Sequence, residues 1–201
     1  MTAAETTRSA KQRFDEDGFL VVPAFWEGKE RQALLRWTAE LQDLPETVLK
    51  WMHYYEPESQ TGRRLLCRTE NFLPYHHALR GLLCGDRVME LTSALLDEPA
   101  LLFKDKINYK LPGANGFAPH QDVPAYVGQA QGFHLTLLAA VDPATEANGC
   151  LEVVAGGHLI GALPHTGLNG SIPDDVVDRL TWTPLVLNTG DIALFGSFLP
   201  H

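Results

Sequence analysis

The residues best suited to chemistry are His120 and Asp122, in the stretch Pro119-His120-Gln121-Asp122 that follows a glycine-bearing turn (Gly113, Gly116). On an extended backbone successive side chains alternate between faces, so His120 and Asp122 point one way and Gln121 the other. One imidazole and one carboxylate are then presented together. A third neutral nitrogen ligand completes a facial triad with open positions, a ligand set suited to iron(II) and oxygen activation. The C-terminal run Gly190-Asp191-Ile192-Ala193-Leu194-Phe195 reads as a turn feeding a buried strand, and the sequence ends at His201. A barrel strand returning from that distance can set His201 opposite the HxD pair. An HxD alone is a weak signal, so its meaning depends on the elements that carry it.

Those elements can be read in outline. Residues 5–17 are polar and helix-permissive, and they lead through Gly18 into Phe19-Leu20-Val21-Val22-Pro23, a short strand stopped by proline. Between Glu27 and Leu44, Ala33, Leu34, Trp37 and Leu41 recur at helical spacing, with Pro45 just beyond. Residues 86–96 repeat the pattern with Asp86 as N-cap. Residues 51–77 are rich in aromatic, His and Arg residues without clear periodicity, which suggests an irregular segment where substrate contacts are to be sought. From Ala100 onward short apolar runs are separated by Gly, Pro, Asn and Asp, the texture of several short strands in a sandwich or barrel. The expectation is one domain over 1–201, mainly β with flanking helices: a helical and irregular region over about 1–99, then a β core over about 100–201.

Bulk properties narrow the function classes. A chain of 201 residues with 45% apolar residues can bury one sizeable core. Sixteen Lys and Arg against twenty-five Asp and Glu give a net charge of -9. Such a field repels phosphate backbones and anionic lipids, which argues against nucleic acid and membranes as partners yet allows a small cationic pocket for an acidic metabolite. Cys67, Cys84 and Cys150 form no CxxC and read as reduced thiols. No apolar run is long enough for a secretory signal or a membrane span. A cytoplasmic protein with a small-molecule substrate is expected.

The order of FDEDGFLVV near the start, INYKLPG before PHQD, NGCLEVVAGGH in the middle and GDIALFGSFLPH at the end resembles the phytanoyl-CoA dioxygenase family of iron(II)- and 2-oxoglutarate-dependent oxygenases. The likeness covers nearly the whole chain. It implies a double-stranded β-helix (jelly roll, cupin-like), iron(II) on His120, Asp122 and His201, 2-oxoglutarate as co-substrate and O2 as oxidant. It also implies a 2-oxoglutarate contact at Asn108, with Lys106 its neighbour on the same strand face. Asn148-Gly149-Cys150-Leu151-Glu152 and Gly156-Gly157-His158 look like the family's tight turn and return strand. Halogenating relatives carry a small residue in place of the carboxylate ligand, so Asp122 implies hydroxylation. The family's basic residue beyond the distal His, which meets the far carboxylate of 2-oxoglutarate, has no counterpart in a sequence ending at His201. A missing last strand, and an unstable or inactive fragment, are expected with it. The implied reaction is hydroxylation of a small metabolite, a polar or zwitterionic compound such as an aminophosphonate. An acyl-CoA substrate is the nearest rival, and a non-catalytic cupin-like metal-binding module is the alternative of another class.

Other side chains keep two readings each. Arg68 and Glu70, charged residues flanked by apolar ones, are either a structural ion pair or substrate contacts. Tyr126 is either lid packing or a substrate contact. Trp51, Tyr54 and Tyr55 form either an aromatic wall or core packing. His134 and Thr136 alternate toward the same interior as the metal, where a buried His bonded to a neighbour is the commoner case. One of His76 and His77 can line a cleft, and His158 and His165 read as loop residues by default.

Overall fold

The computed structural model of the chain describes residues 3–58, 60–123, 134–166 and 170–201. Its contacts divide it into two compact units, one of residues 1–25, 91–99 and 117–201 and one of residues 26–90 and 100–116.

The first unit opens with α1 (Ala3–Asp17), which runs directly into β1 (Phe19–Val22). The break falls at Gly18, whose amide donates to the Phe14 carbonyl at 2.8 Å and whose φ of 82° is left-handed. That backbone suits glycine, and an added Cβ would overlap His158 and Leu199. β1 pairs antiparallel with β8 (Ile192–Gly196), and β8 pairs antiparallel on its other side with β5 (Leu135–Ala139). A central strand covered on both faces needs no alternation, which is why Ile192 to Gly196 is a continuous small and apolar run, buried throughout. A two-stranded ribbon of β6 (Leu151–Val153) and β7 (Thr183–Leu185) completes the regular β structure described here. Ala140, Val153, Leu185, Leu187, Ala193, Phe195 and Leu199 form one core cluster. The entry to β8 is held by Asp191, which is 5% exposed and accepts the amides of Ala24 and Asn188 at 2.7 Å each.

In the second unit α2 (Gly28–Gln42) buries Leu34, Thr38 and Leu41 and packs on α3 (His77–Leu83) and on a three-stranded sheet. That sheet has the order β2 (Met52–Pro57), β3 (Arg64–Glu70), β4 (Lys106–Asn108), all antiparallel. Much of the segment expected to be irregular is therefore regular strand. Its period of two was hidden because a bulge between Tyr54 and Tyr55 shifts the register and because consecutive buried residues at the end of β3, Thr69 and Glu70, are polar. Trp51, Tyr54 and Tyr55, read as either an aromatic wall or core packing, each meet different neighbours. Tyr54 lies beside Arg68, Tyr55 lies under the Arg64 guanidinium at 3.5 Å, and Trp51 meets Tyr75 edge-on at 5.8 Å. Helix α4 (Asp86–Leu96) begins where the sequence placed it, but Gly85, not Asp86, supplies the carbonyl that accepts the first amides, those of Val88 and Met89. Asp86 sits in the first turn, favourable to the helix dipole. A short helix, α5 (Asp174–Val177), precedes β7 in the first unit.

Cys67, Cys84 and Cys150 are free thiols. Among the described residues no helix is long and apolar enough to cross a membrane.

The sheet of the second unit carries a buried charge. The Glu70 carboxylate, 4% exposed, meets Lys104 Nζ at 3.0 Å and Arg68 Nη1 at 3.2 Å. Burial pushes its pKa up, but the hydrogen bonds and charges of Lys104 and Arg68 outweigh burial and hold it below the ordinary 4.5. A depressed folded-state pKa stabilises the fold above the unfolded value, and that contribution is lost as pH falls through the folded one. The urea midpoint of Glu70→Gln should therefore lie below wild type at neutral pH. The gap should close as pH drops below 4.5; a gap constant from pH 7 to pH 3 would show that the carboxylate's charge does not contribute.

Candidate metal centre

His120 and His201, at opposite ends of a long stretch of sequence, are direct backbone partners. The His120 amide donates to the His201 carbonyl at 2.8 Å and the His201 amide returns the bond to the His120 carbonyl at 2.9 Å. Such a doubly bonded antiparallel pair places both side chains on the same side. The rings stand with centroids 4.3 Å apart, and Phe195, buried in β8, backs the His201 ring at 4.7 Å. Asp122, two residues on from His120, returns to the same side, and one ligand atom each from His120, Asp122 and His201 lie within 4.8 Å of one another. The stretch 120–122 is not a strand: His120 is also joined to Ser171 by an isolated bridge, and Asp122 lies at a bend.

Hydrogen bonds select which atoms face the common point. Nδ1 of His120 lies 3.0 Å from the Ala118 carbonyl, and Nδ1 of His201 lies 3.0 Å from the Leu199 carbonyl. A carbonyl only accepts, so each Nδ1 carries the proton and each Nε2 of the neutral ring keeps a lone pair. The carboxylate is oriented similarly. Thr136 Oγ1, on β5 opposite Phe195 in the ladder, donates to Asp122 Oδ2 at 3.0 Å and leaves Oδ1 available. Asp122 is only 9% exposed. Two neutral imidazole nitrogens and one carboxylate oxygen, their tautomers and rotamers fixed by partners behind them, match the donor set of a mononuclear iron(II) oxygenase.

Thr136 was weighed in the sequence only for the direction of its side chain; its hydroxyl is the missed participant. Replacing it with Val keeps the shape and removes the donor. Metal affinity should fall by about ten- to a hundredfold, with Thr136→Ser restoring most of it. Equal affinities for the Val and Ser variants, measured by Co(II) titration, would deny the hydroxyl this role.

The remaining sequence candidates separate. Arg68, Glu70, Lys106 and Asn108 all lie in the sheet of the second unit, where the register sets Arg68 opposite Asn108 and Glu70 opposite Lys106. Arg68 and Glu70 do form an ion pair, and Lys104, absent from the sequence reading, is its third member. Tyr126 lies outside the described residues. His158 is tied to the Asp15 carbonyl at 3.0 Å, and His165 is exposed. His76 caps α3 by accepting the Leu79 amide at Nδ1 and reaches Glu40 with Nε2 at 3.1 Å. It also borders, with His77, Trp51 and Tyr75, a cavity of about 360 Å³ in the second unit.

Known proteins resemble the chain in sequence and in fold. The chain is 40% identical over 195 residues to the 2-aminoethylphosphonate dioxygenase of Uncultured bacterium HF130_AEPn_1, covering 97% of this chain and 74% of that protein. It is equally 40% identical over 195 residues to the methylphosphonate hydroxylase of Gimesia maris, covering 97% and 73%. Among solved structures it resembles EctD from S. alaskensis with 2-oxoglutarate and 5-hydroxyectoine, at TM-score 0.74 and 20% identity over 100% of this chain and 69% of that one. The epimerase SnoN, in complex with Fe3+ and alpha ketoglutarate, gives TM-score 0.75 and 18% identity over 98% and 76%. At these identities the two structures establish a shared fold, the jelly roll with flanking helices. The profile of the phytanoyl-CoA dioxygenase family matches residues 14–201. The chain thus belongs to the phytanoyl-CoA dioxygenase family, and it is a dioxygenase that uses iron(II), 2-oxoglutarate and O2.

Proposed function

We propose that this dioxygenase hydroxylates a small phosphonate at the carbon bonded to phosphorus, with iron(II) held by His120 Nε2, Asp122 Oδ1 and His201 Nε2. The observation that carries the metal assignment is the convergence of the three ligand atoms within 4.8 Å, each backed by its own hydrogen bond. The substrate class is supported by the two relatives at 40% identity, both named for phosphonates. Methylphosphonate has a single carbon, and it is bonded to phosphorus.

When bound, the iron supplies the coupling of 2-oxoglutarate decarboxylation to hydroxylation of a C–H bond. The protein's part is positional. The carbonyls of Ala118 and Leu199 hold the imidazole tautomers and Thr136 holds the carboxylate, so the ligand set needs little rearrangement when the metal enters. We assign Asn108 and Lys106 to 2-oxoglutarate, as the resemblance to the family implies, and the Arg68 guanidinium to the phosphonate on charge grounds. Glu70, already ion-paired to Arg68 and Lys104, orients those cations and does not itself receive the substrate. Arg68→Met then raises KM for the phosphonate by about ten- to a hundredfold, the loss of one charge-assisted hydrogen bond. KM for 2-oxoglutarate stays unchanged; a rise in that constant instead reassigns Arg68 to the co-substrate. Three free thiols support a reducing compartment, the cytoplasm.

The test is direct. The protein with iron(II), 2-oxoglutarate and air is given methylphosphonate or 2-aminoethylphosphonate, and succinate is counted against the hydroxylated product by phosphorus NMR. Equal amounts of the two are expected for at least one substrate. Succinate formed with neither phosphonate consumed would retire the phosphonate reading.

A further inference from the structure

The residue between the two ligands on the HxD segment points away from the metal, yet it is among the best-bonded polar side chains in the described structure. Gln121 is 3% exposed. Its Nε2 donates to the Gly161 carbonyl at 2.9 Å and to the Phe198 carbonyl at 2.6 Å, and its Oε1 accepts the Leu163 amide at 2.8 Å. Both amide hydrogens and the carbonyl oxygen are thereby engaged by main-chain groups. The partners belong to two separate segments. Phe198 lies three residues before His201, on the stretch that carries the third ligand, and Gly161 and Leu163 directly follow the 3-10 turn Gly157–Ile160.

Among the described residues each segment has further ties to the HxD stretch, the His120–Ser171 bridge among them. The 161–172 segment rejoins it where the Ile172 amide donates to the Pro119 carbonyl at 2.8 Å, one residue before His120. The stretch after β8 is joined to it by the paired amides of His120 and His201 and by the Val123 amide, which donates to the Ser197 carbonyl at 2.9 Å. Residues 196–201 form a turn and not a continuing strand, since the Leu199 amide donates back to the Gly196 carbonyl at 2.9 Å. Its position is set by the bonds that tie it to neighbouring segments. The bond from Gln121 to Phe198 lies inside it, between the ladder contact at Ser197 and the ligand at His201.

From this we infer that Gln121 is a positioning residue for the metal: it fixes the distance between the HxD pair and the turn that delivers His201, so that the triad stands assembled before the ion arrives. The inference rests on the reading of His120, Asp122 and His201 as metal ligands. A buried primary amide suits the task because it carries two donors for two carbonyls and one acceptor for an amide, a combination that no aliphatic residue of similar size offers. Without it two carbonyls and one amide would be left buried and unbonded, and the turn would move to satisfy them. Such a movement carries His201 with it.

Co(II) is the probe, because its absorption reports both affinity and coordination geometry without turnover. Gln121→Met, close in shape and without hydrogen-bonding capacity, is expected to bind Co(II) about ten- to a hundredfold more weakly than wild type. Its visible bands should change shape as His201 departs from its position. Leu41→Ala, in α2 of the second unit, serves as a variant that destabilises a core containing no residue of the metal centre or of the clamp, and its Co(II) affinity and spectrum should match wild type. Unchanged affinity and spectrum in Gln121→Met would overturn the inference. So would a Leu41→Ala variant that loses as much affinity at matched urea stability, since Gln121 would then act through the fold alone. Failure of wild type itself to bind Co(II) at the triad, read from an unchanged spectrum in His120→Ala, would instead defeat the underlying metal assignment.

Discussion

Asp122→Ala abolishes coupled turnover. Succinate formation in the presence of a phosphonate is expected to fall by at least about a thousandfold, equivalent to roughly 4 kcal/mol of barrier. The reason is geometric and electrostatic together. Asp122 supplies the charged oxygen among the three proposed ligands, and its rotamer is already fixed by Thr136 at 3.0 Å. Alanine removes that oxygen and leaves the Thr136 hydroxyl without this acceptor, a local cost of about 1–3 kcal/mol that urea denaturation will register. Asp122→Glu retains the charge but extends it by one methylene past the Thr136 hydroxyl, so it should recover little activity. A folded Asp122→Ala protein that turns over at the wild-type rate would remove the mechanism proposed here.

Gly157→Ala is the second large effect, and it comes from a residue that bears no functional group. A Cβ at Gly157 would stand 2.8 Å from Pro200 Cδ and 3.0 Å from Val154 Cβ and Cγ1. Contacts that short do not persist, and neither neighbour is free to yield. Pro200 is a rigid ring joined to His201, and its carbonyl accepts the Val154 amide at 3.1 Å. Overpacking of this sort costs about 1–3 kcal/mol, and relief by moving Pro200 displaces the third ligand. The variant should lose both urea stability and Co(II) affinity. Gly116→Ala is the control, because an added Cβ there meets nothing within 4 Å. Loss of stability with wild-type metal affinity would show that Pro200 and His201 move independently.

These two residues also mark what could be read from the sequence. Asp122 was legible because its chemistry is local: an HxD presents its own two side chains together, and the turn after the late buried strand returns His201 to them. The elements around it were legible for the same reason. The run Phe19 to Pro23, the helical spacing of Leu34 and Leu41, and the apolar stretch from Ile192 each bury one side or both against neighbours of their own unit. Gly157 was recognisable only as part of a turn, because its constraint comes from Pro200, a neighbour in space whose approach no local pattern announces.

Polar side chains that bond over long separations were the least legible. Thr136 serves Asp122 across 14 residues, and Gln121 serves Phe198 across 77. Neither lies in a pattern whose period reports its partner. The sheet of β2, β3 and β4 was obscured in a different way, since its register shift at Tyr54 and Tyr55 and its buried polar neighbours Thr69 and Glu70 break the alternation that identifies a strand. The ion pair within it was anticipated, whereas Lys104 was not, because its approach to Glu70 depends on β4 pairing with β3.

The central claim is that His120, Asp122 and His201 hold one ferrous ion. Anomalous diffraction at the iron edge, from crystals grown anaerobically with iron(II) and 2-oxoglutarate, tests it most directly. A single peak roughly 2.0–2.2 Å from His120 Nε2, Asp122 Oδ1 and His201 Nε2 is the predicted result. A peak at any other set of side chains, or one from which the His201 ring is turned away, would contradict the account.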